Sequence, residues 1–558
     1  MKKENQISVE ELKCDCQPSD FDFETTAEIE PFSNGIIGQN RAVEAMELGI
    51  RVDKKGYNIY MSGDTGTGKS TYARSLAEEK AEELEVPQDL CYVYNFGNSE
   101  KPRSLKLPPG YGIRLKEDME AVIEELQEEI PQAFSGEEYE EKKREIMDDY
   151  QKQSNHMMEE FESDIREEGF MLQNTAHGPR PVPLNESGEP IDQEKFQKLK
   201  EDKRKEIREK SQEIQNDLEK VMRKIRKIKS KAQEELKEEE KQIALTVIQP
   251  IIDNLKIKYE DCQEIKEYLD EVQKDVIENL EQFKASQNDQ RSHAAMPMPF
   301  MQQDDESFFK RYQVNLLVNN EKKEGAPVVY EPNPSYYNLF GKIEGEGNFG
   351  TITTDFTMIK GGAVHKANGG YLILKAKDVL TKPFAWETLK RTLINQEIKI
   401  ENIGEQYRAM PIKTLKPQAF PLNLKVIMVG NPMLYQLLYN YDEEFEKLFK
   451  IRADFDVEMD RSKKHMQEFA AFIASVSNQE DIKDFTAGAV SKMIEYSSRI
   501  TGDSKKMSTR FNEILELLYE ADVWAGSDSE YVRKEDVHQT IAKKEKRDNL
   551  AEEKIQEM

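Results

Sequence analysis

Apolar, β-branched residues gather in short runs in two parts of the chain. The first part holds GYNIYM at about 55–61 and LCYVYNF at 90–96; the second holds YQVNLLVNN at 312–320, GGYLILKA at 369–376 and NLKVIMVGN at 423–431. Runs of this length predict buried strands of one α/β sheet, the last three of them parallel. From Ser70 onward STYARSLAEEKAEEL has helical spacing, so the stretch around 55–84 reads strand, loop, helix. Past about 458 the pattern is helical again, from RSKKHMQEFAAFIASV to VRKEDVHQTIAKKEKRDNLAEEKIQEM, which predicts a small all-α domain.

Between the two parts, from about 115 to 285, apolar residues recur every three or four positions among Glu, Lys and Arg. The clear break is AHGPRPVPLNESGEP at 176–190, so the expectation is two long helices joined by a Pro/Gly loop, an antiparallel coiled-coil hairpin inserted within one α/β domain. SHAAMPMPFMQQDDESFF at 292–309 has no periodicity and reads as a mobile linker. The expected plan is an N-terminal segment 1–35, an α/β first part 36–112, the helical insertion 113–290, a linker 291–311, an α/β second part 312–457, a helical domain 458–547 and a closing segment 548–558.

Composition removes several classes. A formal net charge of -28 with 34% charged residues repels nucleic acid on average, so no nucleic-acid partner is expected. No apolar run approaches the roughly 20 residues of a membrane span, and MKKENQISVEELKCDCQPSD carries no apolar signal core. A cytoplasmic location without membrane contact is the expectation. Four cysteines suit a reducing compartment. Cys14 and Cys16 have no second pair at ligand spacing, and the histidines form no H-E-x-x-H, so a zinc hydrolase is not expected.

The chemistry concentrates in MSGDTGTGKSTYARSLA at 61–77, which contains G-x-x-x-x-G-K-S as Gly63, Asp64, Thr65, Gly66, Thr67, Gly68, Lys69 and Ser70, followed by Thr71. Glycines let backbone N–H groups converge on a phosphate and the helix N-terminus adds partial positive charge. Lys69 reaches the β- and γ-phosphates, and the Ser70 hydroxyl is suited to magnesium. ATP with Mg2+ is therefore the expected ligand.

The remaining segments resemble an AAA+ module. IIGQNRAVEAMELGI at 36–50, with Ile37, resembles the segment that packs beside the adenine. GGAVHKANGGYLIL at 361–374, TKPFAWETLKRTLINQEIKIENIGE at 381–405, LKVIMVGNPMLYQLLY at 424–439, FEKLFKIRADFDVEMDR at 445–461 and MSTRFNEILELLYEADVWA at 507–525 complete a match, in family order, to the Lon-related ATP-dependent proteases with a long helical insertion. A chromosome-structuring or DNA-repair ATPase would carry an LSGGQ-like signature, which this chain lacks. The fold class expected is thus α/β: an AAA+ P-loop domain with an inserted helical coiled-coil hairpin and an all-α lid. The resemblance implies that Asn431 is sensor 1, that Arg452 is an arginine finger with Lys450 as its rival, and that Arg510 is sensor 2. It also implies a homo-oligomeric ring, a hexamer, handling unfolded or damaged polypeptide. GEGNFGTITTDFTM at 345–358 would then be the pore loop, with Phe349 or Phe356 as its gripping aromatic.

Two departures from the family stand out. Where the second acidic strand ends in Asp-Glu, this chain has Lys375 and Ala376 after YLIL; Asp378 is the nearest acid. Magnesium dependence is expected to be weakened and hydrolysis impaired. The family's serine protease domain with its Ser-Lys dyad is expected to be absent from this chain, which leaves a natural short form, a fragment, or an ATPase half working with a separate protease subunit. The alternative is a nucleotide-binding chaperone or assembly subunit without proteolysis.

Overall fold

The computed structural model describes residues 15–32, 35–175, 178–185, 188–191, 196–197, 200–284, 307–348, 351–403 and 415–557. They form two units, one made of residues 1–116 with 314–558, the other of 117–313.

The first unit runs α1 (Asn40–Arg51), β1 (Ile59–Ser62), α2 (Lys69–Glu82), β2 (Asp89–Val93), β3 (Arg103–Leu107), β4 (Asn315–Val318), β5 (Val328–Glu331), β6 (Tyr371–Lys375), α3 (Ala376–Thr381), α4 (Ala385–Asn395), β7 (Lys425–Gly430), α5 (Pro432–Tyr441) and β8 (Ile451–Asp454). It continues through β9 (Glu458–Asp460), α6 (Lys463–Glu480), α7 (Ala487–Thr501), β10 (Lys506–Ser508), α8 (Phe511–Ala525) and α9 (Lys534–Asp548). Strands β8-β1-β7-β6-β5 make one five-stranded sheet, every pair parallel. Side chains alternate across it. Ile59, Met61, Tyr371, Ile373, Ile427 and Val429 pack against Tyr72, Ala73, Leu76 and Ala77 of α2 and Ala42 and Met46 of α1. Tyr60, Leu372, Leu374, Val426 and Met428 pack on the other face against Val379 of α3, Leu389 of α4 and Leu438 of α5.

The parallel expectation holds for 371–375 and 425–430 but fails for β4, and β2, expected in the same sheet, lies outside it. These belong to a separate antiparallel sheet, β3-β2-β4. An apolar run marks a buried strand without stating its direction. Here a buried carboxylate decides: Asp89 accepts from the N–H groups of Gly110 (2.8 Å), Gly112 (3.0 Å) and Asn320 (2.7 Å), tying the end of β4 and the start of helix Tyr111–Phe134 to β2. The two edge strands, β5 and β8, were not read as strands from the sequence.

Helices α6–α9 bury Phe469, Ile473, Val490, Ile494, Leu517, Leu518 and Val537 in a core of their own. Cys16 and Phe21 from the N-terminal segment belong to that core, and Thr26 Oγ1 donates to Asp484 at 2.8 Å.

In the second unit, helices Glu137–Glu167 and Glu201–Lys258 run antiparallel. Tyr139 donates to Glu240 at 2.7 Å near one end, and Phe161 and Ile165 pack with Ile214 and Leu218 near the other. The longer helix has 58 residues, about 87 Å at 1.5 Å per residue. The break between them is more than a loop: Phe170–Thr175 pairs antiparallel with Gly178–Pro183. Most of the segment read as a linker lies outside the described residues, but its end does not. Phe309 meets Phe283 edge-on at 5.1 Å, and Tyr312 donates to Asp275 at 2.7 Å, anchoring residues 307–312 to this unit.

Among the described residues no helix is long and apolar enough to cross a membrane.

Candidate functional site

Strand β1 is buried along its whole length and ends at Ser62; the glycine loop follows and α2 begins at Lys69. Gly66 (φ +91) and Gly68 (φ +77) hold backbone angles that side-chain-bearing residues rarely adopt. A Cβ at Gly63 would lie 2.8 Å from Cβ of Phe455, so the loop's first residue is glycine for want of space. Lys69 turns its ammonium into the loop. It donates to the Asp64 carbonyl and to Thr67 Oγ1 at 3.0 Å, while Thr67 Oγ1 donates to the same carbonyl at 2.9 Å. Burial pushes Lys69 down to about 8, with the Asp64 carboxylate acting in the other direction. A buried ammonium with two neutral acceptors is a strong site for phosphate oxygens. Thr65, Ser70 and Thr71 are exposed around it.

The helical lid reaches this loop. Arg510, just ahead of α8, places Nη2 3.5 Å from Asp64 Oδ2 and Nη1 3.6 Å from Glu513. Asn512 N–H meets the Gly66 carbonyl at 3.5 Å. Of the expected adenine-side residues, Ile37 is buried in the lid core. Its neighbour Ile36 is the one against the loop: a Cβ on Gly68 would lie 3.1 Å from Ile36 Cδ1. Gln39, missed in the sequence, exchanges two hydrogen bonds with the backbone of Asp456 (2.7 and 2.9 Å), fixing this segment to the start of the lid. Its signal was only its place in IIGQ.

Asn431 follows β7 directly, and Gly430 is level with Ser62. Its Oδ1 accepts from Leu434 N–H at 2.8 Å and caps α5, so only Nδ2 is a donor toward a phosphate or water. The Asn431 carbonyl accepts from the Tyr60 hydroxyl at 3.0 Å. Burial drives the Tyr60 phenol well above its ordinary range, which keeps it protonated and donating. Arg452 does not extend away from its own chain. Its Nε donates to Asp454 at 2.7 Å and its guanidinium lies 4.3 Å over the Tyr435 ring. The finger expectation therefore needs two contacts exchanged before Arg452 reaches a neighbour. Lys450, its rival, lies over Tyr57 at 4.9 Å.

Lys375 is level with Val429, which is level with Met61, the second-last residue before Gly63. Alternation puts Lys375 on the α2 face and Ala376 on the other, where it is fully buried. The other acids at this edge of the sheet fall on the face away from α2: Glu331 accepts from Asn333 N–H at 2.9 Å and Asp454 holds Arg452. Asp378 lies on α3, which docks on that same face through Ala376 and Val379. A magnesium ion would find the Ser70 hydroxyl but no carboxylate from β6, and among the described residues no group of three or more His, Cys, Asp and Glu side chains could hold a metal. The donor set does not fit the expected ion.

Of the two pore-loop aromatics, Phe349 lies outside the described residues. Phe356 is buried in the sheet core, 6.0 Å from the Tyr94 ring, and is unavailable to grip a polypeptide. A cleft of about 1080 Å³, lined by Val43, Tyr57, Tyr72, Leu76, Tyr371 and Lys425 among others, includes none of residues 63–70. Its lining runs from Ile36 to the strand starts, where the half-buried Lys425 ammonium donates to the carbonyls of Gly49, Val52 and Tyr57 at 2.9, 2.6 and 3.2 Å.

Three family models match: LonB-like AAA domain over 324–456, archaeal LonB AAA+ ATPase lid domain over 484–547, and Lon-like LonC helical domain over 89–122. Residues 63–70 lie outside all three. A Lon protease homolog of Haemophilus influenzae is 32% identical over 132 residues, 23% of this chain and 20% of that protein. One of Escherichia coli K12 is 35% identical over 91 residues, 16% of this chain and 15% of that protein. The matched segments thus span a fifth or less of those relatives. Among solved structures, NtrX from Brucella abortus in complex with ADP aligns at 14% identity with a TM-score of 0.26, covering 38% of this chain and 43% of that one. Its complex with ATP gives 0.24 at 14% identity, over 38% and 42%.

Proposed function

We propose, from the premise that this is a Lon-related AAA+ chain, that its first unit is an ATP- and ADP-binding module serving the handling of unfolded or damaged polypeptide in a homo-oligomeric ring. The observation that carries this is the sheet order β8-β1-β7-β6-β5 with a glycine loop leaving β1 and Asn431 leaving the adjacent β7. Two functional segments thereby converge at one edge although more than 350 positions separate them in the chain, as Ser62 opposite Gly430 makes concrete.

In this reading backbone N–H groups of Gly66–Ser70 and the Lys69 ammonium hold the phosphates, Asn431 Nδ2 orients the terminal one, and Arg510 closes the lid over it. Turnover is slow, because no carboxylate stands at Lys375 or Ala376 to polarise water, an electrostatic contribution of the kind worth roughly 3 kcal/mol in catalysis. The ring, a hexamer, and the polypeptide substrate rest on the sequence resemblance, and a cytoplasmic setting rests on composition. We assign no peptide-bond cleavage to these residues. The second unit acts as an arm toward the substrate.

Calorimetric titration with ATP and ADP tests the core of the reading. Binding by the wild type that Lys69→Ala abolishes supports it; equal heats from both proteins overturn it. The missing carboxylates favour a second reading, a nucleotide-binding chaperone or assembly subunit. Release of folded product from an unfolded client without loss of chain length separates it from a role in proteolysis.

A further inference from the structure

The strand that should end in an acid ends in a base, and register with alternation puts that base on the sheet face where α2 begins. Resting on the reading of Gly63–Ser70 as a nucleotide site, we propose that the Lys375 ammonium stands in for the divalent cation. The site would then take a nucleoside di- or triphosphate without any metal ion.

Four observations converge. In the sheet β6 is second from β1, with β7 between them, and the rung Lys375–Val429–Met61 lies two residues short of Gly63. Adjacent strands lie about 4.8 Å apart, so the Lys375 Cα is roughly 10 Å from that of Met61. A four-carbon lysine stem and a phosphate chain together span that gap. Second, alternation with Tyr371 and Ile373, which pack on the α2 side, sends Lys375 to the face where Lys69 and Ser70 begin α2. Third, among the described residues no carboxylate forms an ion pair with Lys375. Lys375 is exposed at the N-cap of α3, an end that favours negative charge. Fourth, the acids at neighbouring strand ends lie on the opposite face, and Asp64 in the loop faces Arg510. A magnesium ion brought in with ATP would meet Lys375 as a like charge. An ammonium already in place meets the phosphates as a counter-ion and is held to them by charge-assisted hydrogen bonds.

The test is calorimetric titration of the full chain with ATP and with ADP, in magnesium chloride and in EDTA, for wild type, Lys375→Ala, Lys375→Gln, Lys375→Asp and Lys69→Ala. Wild-type affinity should change less than about threefold on chelation. Lys375→Ala and Lys375→Gln should lose about tenfold in EDTA, and Lys375→Asp should bind in magnesium and fail in EDTA. A wild-type protein that loses tenfold or more on chelation overturns the proposal. So do Lys375→Ala and Lys375→Gln proteins, folded by circular dichroism, that bind like wild type in EDTA. Absence of ATP and ADP binding in both buffers, unaltered by Lys69→Ala, would instead remove the nucleotide reading beneath it.

Discussion

Arg510 Nη2 stands 3.5 Å from Asp64 Oδ2, so the residue that caps the lid helix touches the second residue of the phosphate loop. Both side chains are more than a third exposed, and an ion pair in that setting contributes at most about 1 kcal/mol. It is weak enough for a phosphate to displace.

Arg510→Ala is therefore expected to weaken ATP binding about tenfold while shifting Tm by less than about 3 °C. Asp64→Asn, which frees Arg510 and removes a negative charge from the loop, should strengthen it. Calorimetry beside thermal denaturation checks both; a large Tm loss in Arg510→Ala would mean that the arginine holds the lid rather than the ligand.

Lys69 gives a pH dependence of defined sign. Its ordinary value is 10.5 and burial lowers it to about 8 in the folded chain. Below pH 8 both folded and unfolded forms carry the proton, and the cost of the buried charge is fully present. Between about 8 and 10.5 the unfolded state binds more protons, so this group's contribution to stability rises with pH. ATP affinity should move the opposite way, falling as the ammonium is lost above pH 8. Titrations across that range should show the fall in wild type and not in Lys69→Arg, whose guanidinium stays charged.

Restoring the family's acids one at a time should give unequal results. Ala376 is fully buried and a Cβ at Gly430 would already lie 2.9 Å from its Cβ. Ala376→Glu is expected to cost about 3 kcal/mol or more through overpacking and a buried carboxyl. Lys375→Asp, at an exposed position, should change stability by less than about 1 kcal/mol. Urea denaturation of the two variants measures the difference; comparable midpoints would show that the strand end is more yielding than its packing implies.

Replacing residues 117–313 by a Gly/Ser linker removes one unit and leaves the other unit's sheet and lid sequence intact. The shortened protein should fold cooperatively and bind ATP with unchanged affinity. A folded variant that no longer binds would show that the second unit contributes to the site.

Some of this was legible in the residues alone, because it depends on neighbours in sequence. The glycine loop is a matter of local φ angles and a helix start, and each is written within eight residues. The long helices of the second unit follow from apolar spacing, which needs no distant partner. Asn431 came from the family resemblance, and the structure shows it leaving β7 and capping α5 through Leu434 N–H.

Relations between segments far apart in the chain emerge only once the strands are paired. LCYVYNF and YQVNLLVNN look like members of the parallel sheet, yet Asp89, whose three N–H partners include Asn320 far along the chain, places them in an antiparallel one. Ile36 rather than Ile37 meets the loop, since adjacent residues turn to different cores and periodicity did not say which core was which. Arg452 pairs with Asp454 and lies over the Tyr435 ring of α5, a contact that sequence spacing does not reveal. That a lysine replaces an acid after YLIL is plain from the residues; that this lysine lies on the α2 face, level with Met61, follows from strand register and alternation, which long-range hydrogen bonding sets.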